Sequence, residues 1–494
     1  MKWVNFLHIY QPANQAEDIL NMVANQSYRR LFNGMLKIKQ ARITLNISGA
    51  LSELLVAKGY KDIIDDIRTL AERGQLEFTE TSKYHAFLPF LPKDEIKRQI
   101  ELNREANRSI FGDIYRPSVF FPPEMAYSHK VAEVVAQMGY KAILIDEIAY
   151  NKKVEEVPYN KTYTIEGAEP LIPLFRERRA SNLIASALAK DPKTFFDAVG
   201  DKFAGDEYII TGMDGETFGH HRPGLEEFIF GLCKSNIPQH IFASEVPKLF
   251  PPKDSIVPSD STWAASELDM EEDMEYHSWD DSENEIHQKQ HELLALVIDE
   301  VHKNKNASGY KKAREKLDHA VASDQFFWAS NRPWWSIEMI EQGAWELMDV
   351  INTLKSNKKS IQKAKNLYED IVFTAFKWQR EGRIRKADKE AKEAVRIPFK
   401  ERTLEAGKPE VYDAFIEFME KERDKAAEKR NYEEAATWSN AIWKLETKND
   451  IYDAMHVTDM LRNKILPGEI EKLMDKYKEK YKKLRGGQSE DRIR

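Results

Sequence analysis

The stretch YIITGMDGETFGHH, Tyr208–His221, decides how this chain is read. Tyr208, Ile209 and Ile210 are aromatic or β-branched and predict a short buried strand. Gly212 is expected to end it, and Asp214-Gly215 is turn chemistry. Asp214 and Glu216 therefore stand where a strand runs out into a loop. In barrels of parallel strands, catalytic residues collect at that end. Asp214, Glu216, His220, His221 and Arg222 fall within nine residues. An Asp-Gly turn with a solvated rim has the same composition, so the reading depends on a second stretch built the same way.

That second stretch is VFFPPEMAY, Val119–Tyr127. An apolar strand runs into Pro122-Pro123, which cannot continue a central ladder. The rigid backbone then presents Glu124 beside Tyr127. Glu124 and Asp214 would come from different strands and converge at one mouth. Paired carboxylates of this kind cleave glycosidic bonds as nucleophile and acid/base.

Working outward, Trp3–Leu7, Ile43–Ile47, Leu76–Phe78, Val119–Phe121, Ala142–Ile145, Leu183–Ala185 and Tyr208–Ile210 read as seven strands. Amphipathic segments lie between several of them: Ser52–Arg73, Asp94–Asn107 and Lys130–Met138. Alternating strands and helices imply parallel strands with helices outside. Seven of them suggest a closed barrel, with a doubly wound open sheet as the rival. No G-x-G-x-x-G follows the first strand, which argues against a dinucleotide site. Beyond Ser261 the character changes. Glu267–Glu285 is acidic, with Trp263, Tyr276 and Trp279 interleaved, and helical spacing dominates from Glu285 onward, with no sign of a β-sandwich. The expected divisions are 1–285 for the barrel, 286–400 for a helical domain closing the cleft, and 401–494 for a C-terminal helical extension.

The chain has 494 residues, 42% hydrophobic and 32% charged, with a net charge of −8. The charge argues against a general nucleic-acid binder; the basic run Lys476–Arg485 reads as a solvated helix face, and Gly486–Arg494 as a frayed tail. The one cysteine, Cys233, excludes an internal disulfide and a cysteine-built zinc site. No apolar run is long enough for a bilayer, and a cytoplasmic location is expected.

Other residues suit a sugar site. His8 and Gln11 follow the first strand and can hydrogen-bond vicinal hydroxyls. Glu77 lies within a strand and Glu80 near its end, with Glu77 and Thr79 on one face and Phe78 and Glu80 on the other. A buried strand carboxylate needs a partner, either in the site or in a structural ion pair. Ser323–Trp345 carries Trp328, Trp334, Trp335 and Trp345, with Asp324 and Arg332 nearby. These aromatics fit a core stripe or a platform for pyranose rings, with Asp324 and Arg332 holding hydroxyls.

Taken together and in order, these stretches resemble glycoside hydrolase family 57. His8-x-x-Gln11-Pro12 is similar to its first motif, Gly74–Glu77 to its second, Pro123–Tyr127 to its third and Asp214–Gly219 to its fourth. Trp279 to His287 is the best candidate for the looser fifth. The resemblance covers roughly Met1 to Asp349. It implies an α/β fold, an irregular seven-stranded parallel (β/α)7 barrel followed by an α-helical bundle. It also implies retaining action on α-glucans or maltooligosaccharides with no metal or organic cofactor, Glu124 as nucleophile and Asp214 as acid/base. His8, Gln11, Glu77, Glu216, His220, Trp279, Asp324, Trp328, Trp334 and Trp335 are then the expected substrate contacts. EFTETSKYH and DGETFGHH look closer to the α-amylase and amylopullulanase-like members. A 4-α-glucanotransferase or branching enzyme is the alternative with the same chemistry. From other classes, the rivals are a metal-dependent deacetylase, which adjacent His220 and His221 serve poorly, and a non-catalytic glucan-binding protein.

Overall fold

The computed structural model describes residues 1–185, 192–199, 205–236, 238–331, 334–384 and 409–447. Arg332, the run Lys476–Arg485 and the tail Gly486–Arg494 lie outside the described residues. The chain divides into two compact units, one of Met1–Ala185 with Asp191–Ile384, the other of Ser186–Lys190 with Arg385–Arg494.

The first unit is α/β. Its strands are β1 Lys2–Ile9, β2 Ile43–Ile47, β3 Leu76–Thr79, β4 Val119–Phe120, β5 Ala142–Asp146, β6 Thr162–Ile165, β7 Ile172–Arg176, β8 Tyr208–Asp214, β9 Gln239–Ile241 and β10 Pro252–Ile256. All named pairings are parallel. One run has the order β3-β2-β1-β8, with β9 also on β1, and another has the order β4-β5-β7; β6 pairs with β10. β1, β2 and β5 are buried almost throughout, as parallel strands covered on both faces must be. The two runs meet at two seams. At one, Glu80 N–H donates to Val119 O at 2.9 Å and Phe121 N–H to Glu80 O at 2.8 Å. At the other, Glu177 N–H donates to Ile210 O at 2.9 Å.

Three sequence expectations change. Leu183–Ala185 is not a strand but the end of the helix Arg178–Ala185; a three-residue apolar run carries no period that separates strand from helix. The strand in that part of the chain is β7, whose Pro173 hid it. Gly212 does not end β8, which runs on to Asp214. A Cβ at Gly212 would lie 3.0 Å from the Phe6 ring, so the glycine there serves close packing between β8 and β1. The expected helix Ser52–Arg73 is two helices, Gly49–Ala57 and Lys61–Glu72, broken near Gly59, whose φ is +86°.

After β10 the described residues are helical. Glu285–Lys303 packs on Ile337–Leu354 and on Lys358–Arg380, and Tyr310–Ala320 packs on Ile337–Leu354. These helices join the helix Lys93–Phe111 through buried and half-buried ion pairs. Arg314 donates to both oxygens of Glu95 at 2.6 and 2.8 Å, and Arg98 donates to both oxygens of Asp318 at 2.6 Å. Broken pairs of this kind leave an uncompensated charge, so they hold the helices in place even where their net contribution is small. The short helix Asp324–Phe327 sits against Gly343, where a Cβ would fall 2.3 Å from Gln325 Cβ. In the second unit, Pro409–Glu428 packs on Tyr432–Thr447, burying Phe415, Phe418, Met419, Trp438 and Ala441. No helix among the described residues is long and apolar enough to cross a membrane.

Candidate active site

Strand register builds the site. His8 lies opposite Asp214 on β8 and opposite Asn46 on β2, and Asn46 lies opposite Thr79 on β3. One row of side chains thus crosses four strands at their carboxyl ends. His8 Nδ1 is 2.8 Å from Asn46 Oδ1, and Asn46 Nδ2 donates to Thr79 Oγ1 at 2.9 Å.

Glu124 reaches this row from the loop after β4. Its backbone is left-handed, with φ +61°, and Met125 follows at φ +48°. Non-glycine residues hold such angles only where the surroundings over-determine them, as at active sites. Here Tyr127 and Ser261 pair their backbones at 2.9 and 3.2 Å, which brings Trp263 alongside. The indole Nε1–H of Trp263 donates to Glu124 Oε2 at 2.8 Å, and its backbone N–H to Glu124 O at 3.2 Å. His85 Nε2 is 3.9 Å from Glu124 Oε1, and the Glu124 side chain keeps 21% of its surface exposed, so it is deep but reachable.

Asp214 ends β8. Arg176, the last residue of β7, is held by Asp146 at 2.9 Å and by Gly212 O at 2.7 Å. Glu216, one turn on, accepts from Tyr10 N–H at 3.1 Å, from Gln11 Nε2 at 3.4 Å and from the Tyr28 hydroxyl, all on one oxygen. Asp324 comes in from the helical part of the same unit and accepts from the Tyr10 hydroxyl at 2.8 Å.

Burial dominates the electrostatics. It raises the Glu124 carboxyl to about 8; the charges of Asp214 and Asp324 add to this, and the Trp263 hydrogen bond opposes it. Burial raises Asp214 to about 6, against the pull of Arg176. Burial and then Asp214 raise Glu216 to about 7, opposed by the Tyr28 hydrogen bond. The charge of Asp214 thus raises both Glu124 and Glu216, and groups that interact in this way do not titrate independently. Burial also lowers His8 to about 4 and holds His85 well below its ordinary value, so both are neutral imidazoles.

Of the residues expected from sequence, Glu124, Asp214, His8, Gln11, Glu216 and Asp324 come together. Glu77 does not. It sits two residues nearer the start of β3, accepting from Thr44 Oγ1 at 2.7 Å and Ser244 N–H at 3.2 Å. Glu80 is a buried structural carboxylate, bound by Asn103 at 2.6 Å and by Tyr115 and Tyr140 at 2.9 Å. His220 pairs with Gln26 at 2.8 Å, and His221 is exposed. Trp279 is 1% exposed and stacked between Phe87 and Phe327. The segment Trp279 to His287 supports the Asp324 turn from behind: His287 Nε2 is 2.9 Å from Phe326 O, and Asn284 donates to Ala329 O at 2.8 Å. Trp328 and Trp334 are half-buried and pack edge to face, with ring centres 5.7 Å apart. Trp335 stacks on Trp378 at 6.0 Å. The sequence reading missed Tyr10, Tyr28, His85, Arg176, Trp263 and Ser323. Tyr10 and His85 stood inside stretches already singled out, whereas Tyr28, Arg176 and Trp263 carry no local signal.

Among the described residues, Asp94, Glu95 and His302 cluster with a metal-like donor set. Arg314 already pairs with both oxygens of Glu95 at 2.6 and 2.8 Å, which makes this an ion-pair network.

Parallel strands whose carboxyl ends gather buried, mutually repelling carboxyls define an α/β unit with a candidate catalytic site. Residues 2–244 match the family model described as Glycosyl hydrolase family 57. It is 24% identical over 277 residues to a putative alpha-amylase of Methanocaldococcus jannaschii, covering 51% of this chain and 57% of that protein. To a 4-alpha-glucanotransferase of Thermococcus litoralis it is 23% identical over 238 residues, covering 47% and 35%. The chain spans 57%, 31% and 36% of the lengths of three alpha-amylase relatives that it matches. Among solved structures, the fold is similar to the GH57-type branching enzyme of Pyrococcus horikoshii, with a TM-score of 0.56, 14% identity, and coverage of 76% of this chain and 96% of that one. It is also similar to the 4-alpha-glucanotransferase of Thermococcus litoralis, with a TM-score of 0.57, 16% identity, and coverage of 71% and 59%.

Proposed function

We propose that this chain is a retaining enzyme acting on α-1,4-glucans, α-amylase-like, with Glu124 as nucleophile and Asp214 as general acid/base. The observation that carries the reading is the pair itself: two carboxyls from the ends of β4 and β8, each raised by burial, with the Asp214 charge acting on Glu124. In the productive form the shared proton is on Asp214 and Glu124 is ionised. Asp214 gives its proton to the glycosidic oxygen as Glu124 attacks the anomeric carbon, and an ester forms as the leaving sugar departs. Once Glu124 is an ester it carries no charge, so the Asp214 pKa falls. That suits Asp214 to take a proton from the incoming water, which releases the product and restores both groups.

On this reading His8, Gln11, Glu216 and Asp324 line the reacting sugar, with Trp328 and Trp334 as stacking faces further out. β1, β2, β3, β4, β5, β7 and β8 would form an irregular seven-stranded barrel closed through the two seams. The barrel would occupy residues 1–285, with the helical domain at 286–400 and an extension at 401–494. The single cysteine suits a cytoplasmic location. Transfer to a sugar hydroxyl instead of water is the second reading, favoured by the 4-alpha-glucanotransferases among the relatives.

An activated 2-fluoro- or 5-fluoro-glucosyl substrate tests the assignment. It should leave a covalent adduct on the peptide that holds VFFPPEMAY, and the first product seen by NMR should be the α-anomer. A label elsewhere, or a β-anomeric first product, refutes it. The product profile on maltooligosaccharides separates hydrolysis from transfer.

A further inference from the structure

We infer that Ser323, His85, His8, Asn46 and Thr79 form a directional hydrogen-bond relay that turns a His85 N–H toward Glu124 and makes the helical segment at Ser323 a positioning part of the catalytic barrel. Ser323 Oγ is 3.0 Å from His85 Nδ1, His85 Nε2 is 3.2 Å from His8 Nε2, His8 Nδ1 is 2.8 Å from Asn46 Oδ1, and Asn46 Nδ2 is 2.9 Å from Thr79 Oγ1. All five residues are buried, at 4% exposure or less. The chain runs from the helical segment through the loop after β3 and across β1, β2 and β3. Glu124 flanks it at 3.9 Å from His85 Nε2.

Two neutral imidazoles that meet nitrogen to nitrogen must have one donor and one acceptor. Each choice fixes every other proton in the chain. In one polarity Ser323 donates to His85, His85 Nε2–H to His8, and His8 Nδ1–H to Asn46, whose amide donates to Thr79. In the other polarity every bond reverses, which needs the Asn46 amide turned over and puts an unprotonated His85 Nε2, accepting from His8, beside Glu124. Once Glu124 is ionised, its carboxylate selects the first polarity, because it attracts an N–H and repels a lone pair. The surroundings hold the rings for this. Tyr10 stacks on His85 at 4.0 Å with planes 14° apart, and Phe121 lies 4.8 Å from the His8 ring. His85 itself is left-handed, with φ +54°, and its carbonyl accepts from Ser323 N–H at 3.1 Å. Ser323 thus grips both the backbone and the ring of His85.

The role of the relay rests on Glu124 being the nucleophile, but its polarity does not. Selective 15N-histidine labelling and two-bond 15N–1H correlations read the tautomers, with signals assigned by their loss in His85→Gln and His8→Gln. At a pH above about 8, where Glu124 is ionised, the expected result is Nε2–H for His85 and Nδ1–H for His8. The reversed pair of tautomers overturns the relay whatever the variants do. Ser323→Ala should lower kcat roughly tenfold, the effect of losing one orienting hydrogen bond, with KM and melting temperature little changed. Ser323→Thr, which keeps the hydroxyl, should restore kcat. If Ser323→Ala retains wild-type kcat, the positioning role fails. Full activity in Glu124→Gln would instead sink the functional reading and leave the tautomer result standing.

Discussion

Replacing Trp263 with phenylalanine removes the one indole N–H that reaches Glu124, 2.8 Å from Oε2, and keeps an aromatic ring near the Arg176 guanidinium, 5.9 Å away. That hydrogen bond favours the ionised carboxylate, so its loss raises the Glu124 pKa further above about 8. A hydrogen bond to a charged group contributes about 1.5–3 kcal/mol. At 1.36 kcal/mol per pH unit this is a rise of roughly one to two units. The productive form needs Glu124 ionised and Asp214 still protonated, and Asp214 lies lower, at about 6, so kcat/KM climbs with pH through about 6 and falls above the Glu124 pKa. Below it, the productive fraction in Trp263→Phe falls roughly ten- to hundredfold, because the shared proton moves from Asp214 to Glu124. The assay is kcat/KM on an aryl maltooligosaccharide from pH 5 to 10. The descending limb should move to higher pH, with the loss greatest at the acid end and recovered at the alkaline end, where Glu124 is ionised in both proteins. An unmoved limb with rates within twofold of wild type would refute the claim that Trp263 orders the protons of the pair.

Glu124→Gln and Asp214→Asn should each remove nearly all turnover while melting temperature holds or rises. Their folded pKa values lie above the unfolded ones, so ionisation opposes folding: the penalty is absent below the unfolded carboxylate range and grows as pH rises toward the folded pKa of about 8 for Glu124 and about 6 for Asp214. Calorimetry at pH 5 and pH 8 should therefore show the larger gain for Glu124→Gln at pH 8. Trp279→Ala should cost about 3–5 kcal/mol in denaturant unfolding, because a ring that is 1% exposed leaves a cavity. Trp335→Ala should also lower stability, through the lost stack on Trp378. Trp334→Ala should instead weaken binding of long glucans, read by isothermal titration, more than it lowers melting.

Several strands were legible because parallel strands covered on both faces are written as continuous apolar runs: Ile43–Ile47 is β2 to the residue, and Ala142–Ile145 falls one residue short of β5. β7 was not legible, since Pro173 contradicts the pattern that marks a strand. Glu124 and Asp214 could be singled out because Asp214 ends a strand and Glu124 follows one, where local chemistry marks the end. The groups that act on them could not. Trp263 is 139 residues from Glu124, and Ser323 is 238 residues from His85, so no local pattern connects them. Glu77 shows a subtler limit. Alternation placed Glu77 and Thr79 on the same face of β3, and both do bond inward to β2, to Thr44 and Asn46. Alternation tells which face a side chain takes but not its height along the strand. Height is set by register, and here register puts Thr79 in the row with His8 and Asp214, while Glu77, one step lower, bonds to Ser244 in the segment after β9. A strand carboxylate on the right face thus becomes a structural group two residues below the candidate site.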